Sequence, residues 1–139
     1  VVMKVPRTNE TWGLIHADLR PSNVIRGNDG RLTVIDFDDA GYSWYLYDYA
    51  SSLSFIEHEP YAPDLAKAWV KGYQRVAGSF TDEELRIMSA LSMIRRMQML
   101  GWTTSHREDA LPDGLAAQQA PGSVMCAKNY LEDPLWLLH

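Results

Sequence analysis

The chain has 139 residues, of which 46% are hydrophobic, so it is long enough for one domain with a core and too short for two comfortable ones. Its net charge of −5 and the lack of any run of Lys or Arg argue against nucleic acid as a partner. No apolar stretch approaches the roughly 20 residues that cross a bilayer, and the single cysteine, Cys126, fits a reducing compartment, so we expect a cytoplasmic protein without membrane contact.

The predicted elements begin with β structure over residues 12 to 39. Two short apolar runs, at 12–17 and 22–27, precede a turn signal with the sequence NDG at 28–30. A β-branched strand with the sequence RLTVIDF follows at 31–37. The pattern predicts a small β hairpin region.

From about residue 45 the apolar residues recur at helical spacing. Helices are predicted around residues 46–56, 65–76 and 81–102. The third of them opens with Thr81 and Glu84, which have the spacing of a capping box.

The remainder of the chain is predicted to be a loop and a short helix. Residues 105–122 are polar and rich in Pro and Gly, which favours a loop or linker, and a helix is expected over 123–132, before Pro134. Strands followed by helices, without βαβ alternation, predict a single α+β domain over residues 1–139 that is mostly helical.

Polar side chains follow the apolar ends of two predicted strands. Asp18 and Asn23 lie on one short loop, and Asp36 ends the partner strand of the hairpin. Phosphoryl transfer from a nucleotide needs a carboxylate that orients the attacking hydroxyl, and oxygen ligands that hold Mg²⁺ against the phosphates. The pattern therefore predicts a metal-assisted kinase site.

Two stretches also carry a family resemblance. HADLRPSN at 16–23 resembles the catalytic loop of protein-kinase-like enzymes, and IDFDD at 35–39 resembles their metal-binding Asp-Phe-Gly stretch. The closer resemblance is to the aminoglycoside phosphotransferase and choline kinase family, whose loop often has the form His-Gly-Asp-Leu-x-x-x-Asn. It implies the C-terminal lobe of a kinase-like fold with the catalytic loop on a small β hairpin. It also implies Mg²⁺ with ATP or GTP, and a small-molecule hydroxyl as acceptor.

The same resemblance implies a role for each motif residue. Asp18 is the catalytic base, Asn23 and Asp36 bind Mg²⁺ and the nucleotide phosphates, and His16 shapes the loop. Asp38 stands where the kinase stretch has Gly, and it either assists metal binding, contacts the substrate or is a solvated turn carboxylate.

Two features differ from protein kinases. Ala17 stands where kinases regulated by activation-loop phosphorylation have an Arg that pairs with the phosphate. Only eleven residues separate Asp36 from Asp48, which leaves no room for an activation segment. The stretch YSWYLYDYA at 42–50 instead resembles the helix start of small-molecule kinases, in which Asp48 would accept backbone N–H groups of the catalytic loop.

The acceptor stays open among aminoglycosides, homoserine, amino alcohols and macrolides. The acidic residues from Asp36 to Asp39 favour a cationic acceptor, although Mg²⁺ explains the same acidity. Trp44, Trp69 and Trp102 either line the acceptor pocket or belong to the core, which their helical spacing favours. Glu108 and Asp109 could bind a cation, but a solvated loop is the simpler interpretation.

The residues before residue 12 contain no Gly-rich loop and a single lysine, Lys4, so the nucleotide-binding lobe of a kinase is missing from these residues. A start at Val1 rather than Met favours a piece of a longer kinase. We therefore expect little or no turnover by the 139 residues alone, and a homodimer through the exposed lobe face. The alternative hypothesis is a truncated lobe that acts as a non-catalytic binding or assembly module.

Overall fold

The computed structural model describes residues 2–106 and 111–139, and its strands form two separate antiparallel pairs. Strand β1, Trp12–Ile15, pairs with β4, Gly41–Trp44, and strand β2, Val24–Arg26, pairs with β3, Leu32–Val34. The β2–β3 hairpin was predicted. Strand β4 was not, because its short sequence, GYSW, lies between the acidic stretch and the first helix.

In the described ranges, four α-helices make up most of the regular secondary structure. They are α1, Tyr47–Ser52; α2, Ala62–Ala77; α3, Asp82–Ser105; and α4, Asp113–Glu132. The α+β, mostly helical class predicted from the sequence is therefore confirmed. None of the helices in the described ranges is both long enough and apolar enough to span a membrane.

The start of α3 is set by the predicted capping box, which is confirmed. The Thr81 side chain accepts the N–H of Glu84, and the Glu84 carboxylate accepts the N–H of Thr81 at 2.7 Å. Two of the backbone donors at the helix start thus find partners, which contributes about 1 kcal/mol to helix stability.

The loop predicted over 105–122 is wrong for the residues from 113 onward, since α4 begins at Asp113 and continues through Pro121. The run AAQQA at 116–120 has high helix propensity, and one face of the helix is buried. This burial against α3 offsets the hydrogen bond that Pro121 cannot donate. The predicted helix over 46–56 is also shorter than expected, because α1 ends at Ser52.

The hydrophobic core lies where α1 packs on α2 and α3. Tyr49, Leu53 and Met88 are its large buried members, and Leu137 closes it from the C-terminal segment. Trp69 packs against this core with its ring 5.4 Å from that of Tyr49, in an edge-to-face arrangement. The core fixes α1, and α1 in turn fixes the loop after β1, as described below.

A buried ion pair joins α3 to the segment after α1 and to α4. The Arg96 guanidinium donates to the Glu57 carboxylate at 2.6 Å, to the Ser123 hydroxyl at 2.9 Å and to the Gln119 carbonyl oxygen at 2.9 Å. Both charged side chains are only 1% exposed. Arg96 therefore satisfies three groups on two other segments at once.

Gly122 lies against this ion pair, and its replacement tests how tightly α4 packs there. A Cβ atom on Gly122 would lie 2.6 Å from His58 Cγ and 2.8 Å from an Arg96 nitrogen. We expect Gly122→Ala to lower the free energy of unfolding by about 1–3 kcal/mol in urea denaturation. Gly72→Ala is the control, because nothing lies within 4 Å of that position in α2 and alanine favours a helix. Equal effects of the two substitutions would contradict the close approach.

Candidate active site

The start of α1 holds the loop that follows β1. The Asp48 carboxylate accepts the N–H of His16 at 3.1 Å and the N–H of Ala17 at 2.7 Å. One turn later, the Ser51 hydroxyl accepts the N–H of Leu19 at 3.2 Å. Ala17 has a φ of 66°, a left-handed conformation that residues with a Cβ rarely adopt. Asp48 thus makes the contacts that a supporting role for the loop requires.

The His16 ring connects the loop to the end of β3. Its Nε2 lies 3.0 Å from the Ile35 carbonyl oxygen, and its Nδ1 accepts the N–H of Asp18 at 3.3 Å. Because the carbonyl can only accept and the N–H can only donate, these contacts require the neutral tautomer with its proton on Nε2. The ring also packs on Phe37, with the ring centres 4.6 Å apart. His16 therefore shapes the site and is itself buried.

Asp18 is buried at the centre of the site, and both of its carboxylate oxygens accept hydrogen bonds. Oδ1 accepts from Arg95 at 2.7 Å, and Oδ2 accepts from Arg20 Nε and from Asn23 Nδ2, each at 3.0 Å. Asn23 also donates to the Asp18 main-chain oxygen at 2.8 Å. The Asn23 amide nitrogen is thereby committed to Asp18, which leaves its side-chain oxygen to bind another group.

Asp36 follows β3, one residue after Ile35. It has a φ of 64°, and its side chain is exposed, as are those of Asp38 and Asp39. The Ile35 N–H donates to the Asn23 carbonyl oxygen at 3.0 Å, which ties the residue before Asp36 to the loop that contains Asp18 and Asn23. Within the described ranges no three His, Cys, Asp or Glu side chains converge on one point. An amide oxygen and an exposed carboxylate nevertheless fit Mg²⁺, which keeps several waters and phosphate oxygens as ligands.

Asp18 opens onto a cavity of about 570 Å³, which we call the acceptor cavity. Tyr47, Phe55 and Trp102 form its aromatic wall, and Asp39 lines its rim. Trp102 is 41% exposed, and its ring centre lies 6.3 Å from that of Phe55. Trp102 thus lines a pocket, in contrast to Trp69 in the core. Glu108 and Asp109, for which the sequence favoured a solvated loop over a cation-binding role, lie outside the described residues.

Two arginines of the site were missed in the sequence. Arg95 comes from the middle of α3 and is held by the Ser54 hydroxyl at 3.0 Å and the Tyr47 hydroxyl at 3.4 Å. Arg20 is about one third exposed, and its guanidinium lies 5.5 Å from the Phe55 ring centre. The sequence did contain a signal for Arg95, namely the pair RR within the apolar run MIRRMQML at 93–100. Charged residues inside an apolar helical run are candidates for buried, paired side chains.

The buried thiol of Cys126 is not a candidate nucleophile. Its side chain is fully buried, and burial raises the pKa of the Cys126 thiol to about 11. The thiol is therefore protonated at neutral pH, when only the thiolate would act as a nucleophile.

Comparison with known proteins finds similarity to phosphotransferases. Residues 3–87 match the model of the phosphotransferase enzyme family. Over 60 residues the chain is 35% identical to amicoumacin kinase of Bacillus subtilis (strain 168), a match that covers 43% of this chain and 18% of that protein. The solved structure of the microcompartment-associated aminopropanol kinase superposes with a TM-score of 0.74 and 30% identity, over 96% of this chain and 42% of that one. The chain therefore spans less than half the length of these relatives.

Proposed function

Because the chain belongs to the phosphotransferase enzyme family, we propose that it is the catalytic C-terminal lobe of a small-molecule kinase. The reaction transfers the γ-phosphate of ATP or GTP to a substrate hydroxyl. The observation that carries this proposal is the hydrogen-bonded pair of Asp18 and Asn23 at the floor of the acceptor cavity, on a loop that Asp48 holds in place. Loop and pair together supply a rigidly positioned carboxylate, which phosphoryl transfer requires.

In this proposal Asp18 is the base that orients the acceptor hydroxyl and takes its proton. Oδ2 already accepts two hydrogen bonds from described residues, whereas Oδ1 accepts one, from Arg95. Since a carboxylate oxygen has two lone pairs, the acceptor hydroxyl donates to Oδ1, beside the Arg95 guanidinium. Arg20 is exposed enough to contact a phosphoryl group that enters the cavity.

Asn23, through its side-chain oxygen, and Asp36 would hold Mg²⁺, with Asp38 as a further candidate. When bound, the ion would neutralise the charge on the nucleotide phosphates. The chain's own contribution is to fix the Asn23 amide against Asp18, so that its oxygen has one orientation.

The acceptor cavity supports a cationic acceptor. Its wall includes Tyr47, Phe55 and Trp102, and aromatic faces attract ammonium groups. The Arg20 guanidinium already lies 5.5 Å from the Phe55 ring centre, and that of Arg95 lies 5.9 Å from the Tyr47 ring centre. Among these three rings, that of Trp102 is therefore the one left for an acceptor. Asp39 adds a carboxylate at the rim, while the Arg95 guanidinium is engaged by Asp18. The name of the aminopropanol kinase specifies an amino alcohol. Among the acceptors left open by the sequence, we therefore favour an amino alcohol.

Calorimetric titration with Mg²⁺ and ATP tests the site directly. We expect Mg²⁺-dependent ATP binding by the chain, and loss of the metal-dependent heat in Asp36→Ala, because a chelating carboxylate is removed. Asp29→Ala is the matched control, since Asp29 is an exposed carboxylate in the turn at the other end of the same hairpin. Equal binding by both variants would contradict the role of Asp36. No binding by any of the three proteins would mean that nucleotide affinity depends on residues beyond these 139.

We further propose that the isolated 139 residues show little or no turnover, and that the kinase acts in the cytoplasm.

We also propose that the chain associates into dimers through an exposed apolar face. Leu14 and Tyr42 lie directly opposite each other on β1 and β4, where they are 66% and 74% exposed. Phe37, beside the site, is also exposed. Such an apolar face is typical of an interface. It also favours the second candidate function, a non-catalytic binding or assembly module.

The dimer has its own test in solution. Light scattering behind a sizing column should give twice the chain mass for the protein, and the single mass for Tyr42→Glu, because a charge on that face opposes its burial. Val76→Glu is the control, since Val76 is 93% exposed on α2. A protein that elutes as a monomer at high concentration would overturn this part of the proposal.

A further inference from the structure

A second cavity adjoins the acceptor cavity. It has a volume of about 700 Å³, and we call it the apolar groove. Its walls come from residues 20–23, from the segment after α1, from the start of α2, and from residues 111–115 at the start of α4. The side chains that give it its character are Phe55, Ile56, Tyr61, Leu65, Leu111 and Leu115. Its volume lies within the roughly 300–1,000 Å³ that is typical of small-molecule sites.

Arg20 and Phe55 line both cavities and form the partition between them. Phe55 is fixed, because it is 4% exposed, has a φ of 73°, and its carbonyl oxygen accepts a hydrogen bond from Gln119 at 3.3 Å. Arg20 is about one third exposed, and its guanidinium lies against the Phe55 ring. The partition therefore consists of one fixed ring and one long side chain that can change rotamer.

The chemistry of the groove differs from that of the acceptor cavity. Among the described residues that line it, Arg20 at the partition is the one charged side chain. Tyr61 and Leu65 at its rim are 49% and 37% exposed, although they belong to a concave surface. Exposed apolar side chains in a concave site beside a catalytic carboxylate are typical of a binding site for an apolar group.

We propose that the acceptor is an amphipathic amino alcohol whose alkyl or aryl substituent occupies the apolar groove. Its hydroxyl donates to Asp18 and its ammonium group lies at the aromatic wall of the acceptor cavity. The substituent passes Arg20 and packs against Leu65 and Leu115. This inference rests on the proposed function, and it adds the part of the substrate that the groove selects.

A homologous series of ligands measures the contribution of each cavity to binding. Binding of 1-amino-2-alkanols, from aminopropanol to aminooctanol, is measured by calorimetry in the presence of Mg²⁺ and a non-hydrolysable ATP analogue, so that no transfer occurs. The protein is the longest natural chain that contains these residues, with Asp18 unchanged. We expect affinity to rise about fourfold for each added methylene group, because each one leaves water for the groove. In a second protein that carries Leu65→Asp, we expect the rise with chain length to disappear while the binding of aminopropanol is kept.

Leu131→Asp is the matched control for Leu65→Asp, because Leu131 is 82% exposed near the end of α4 and does not line the groove. Equal affinities across the series would overturn this inference and leave the proposed function standing. A rise with chain length that persists in the Leu65→Asp protein would also overturn it, since the substituent would then bind elsewhere. Failure of every homologue to bind would overturn both. Should Leu65→Asp fail to fold, the series on the parent protein still separates a rise with chain length, which supports the inference, from equal affinities, which overturn it.

Discussion

Replacing Arg96 with alanine is expected to lower the free energy of unfolding by about 3–5 kcal/mol, a large part of the stability of a small domain. The substitution leaves the Glu57 carboxylate buried without its partner, and Oε1 of that carboxylate has no hydrogen-bond partner among the described residues even now. The Ser123 hydroxyl and the Gln119 carbonyl oxygen lose a donor as well. Urea denaturation followed by circular dichroism measures the change.

The control for Arg96→Ala is Arg86→Ala, on the exposed face of the same helix, for which we expect a change of less than about 0.5 kcal/mol. A double variant, Glu57→Leu with Arg96→Met, should recover most of the lost stability, because it removes both charges and keeps the volume. An Arg96→Ala protein as stable as Arg86→Ala would contradict the contribution assigned to the ion pair.

The pH dependence of Arg96→Ala follows from the environment of Glu57. Burial raises the pKa of Glu57 above its ordinary value of 4.5, and the Arg96 guanidinium opposes that rise. Without Arg96, burial acts alone and the folded-state pKa rises further. The folded variant then binds a proton that the unfolded chain has already released, so its stability falls as the pH rises from 4.5 toward neutral. Its deficit relative to the parent protein should therefore be smallest in acid.

The parts of this site that the sequence predicted are those fixed by local spacing. Asp18 and Asn23 are five residues apart, and one short turn brings their side chains to 3.0 Å. The family resemblance carried by this loop and by the stretch around Asp36 is confirmed by the match over residues 3–87. The capping box of α3 is equally local, since both partners lie within one helical turn.

The parts that the sequence did not predict depend on contacts between distant residues. Arg95 meets Asp18 from 77 positions away, and no spacing rule connects them. The helix at 113–122 was missed for a related reason. Pro121 and Gly122 indicate a loop when taken locally, whereas the tertiary structure places Gly122 where the side chains of His58 and Arg96 leave no room for a Cβ atom. The same tertiary placement brings Trp102 to the acceptor cavity, although its helical spacing favours the core.

Asp18→Asn is expected to lower the rate of phosphoryl transfer by about 10²- to 10⁴-fold, the usual contribution of a positioned general base. The amide cannot take the proton of the acceptor hydroxyl. The NH₂ group that replaces one carboxylate oxygen would also face hydrogen-bond donors. Arg95 donates to Oδ1 of Asp18, and both Arg20 and Asn23 donate to Oδ2. We therefore also expect a loss of stability of about 1–3 kcal/mol from the mismatched donors. The rate is measured with Mg²⁺, ATP and an amino alcohol in the longest natural chain that contains these residues.

Asp29→Asn separates the role of a positioned base from a general effect of removing a carboxylate. Asp29 pairs with the arginine two residues later, Arg31, as Asp18 pairs with Arg20. The Arg31 Nε lies 2.6 Å from the Asp29 carboxylate, but this pair lies exposed in the β2–β3 turn. Both substitutions remove one negative charge and one contact to an arginine two residues on. Transfer by Asp29→Asn should equal that of the parent protein, because the acceptor cavity does not include this turn. If Asp18→Asn instead kept its rate within tenfold of the Asp29→Asn rate, at saturating substrate and below the unfolding transition, the base would have to be another group.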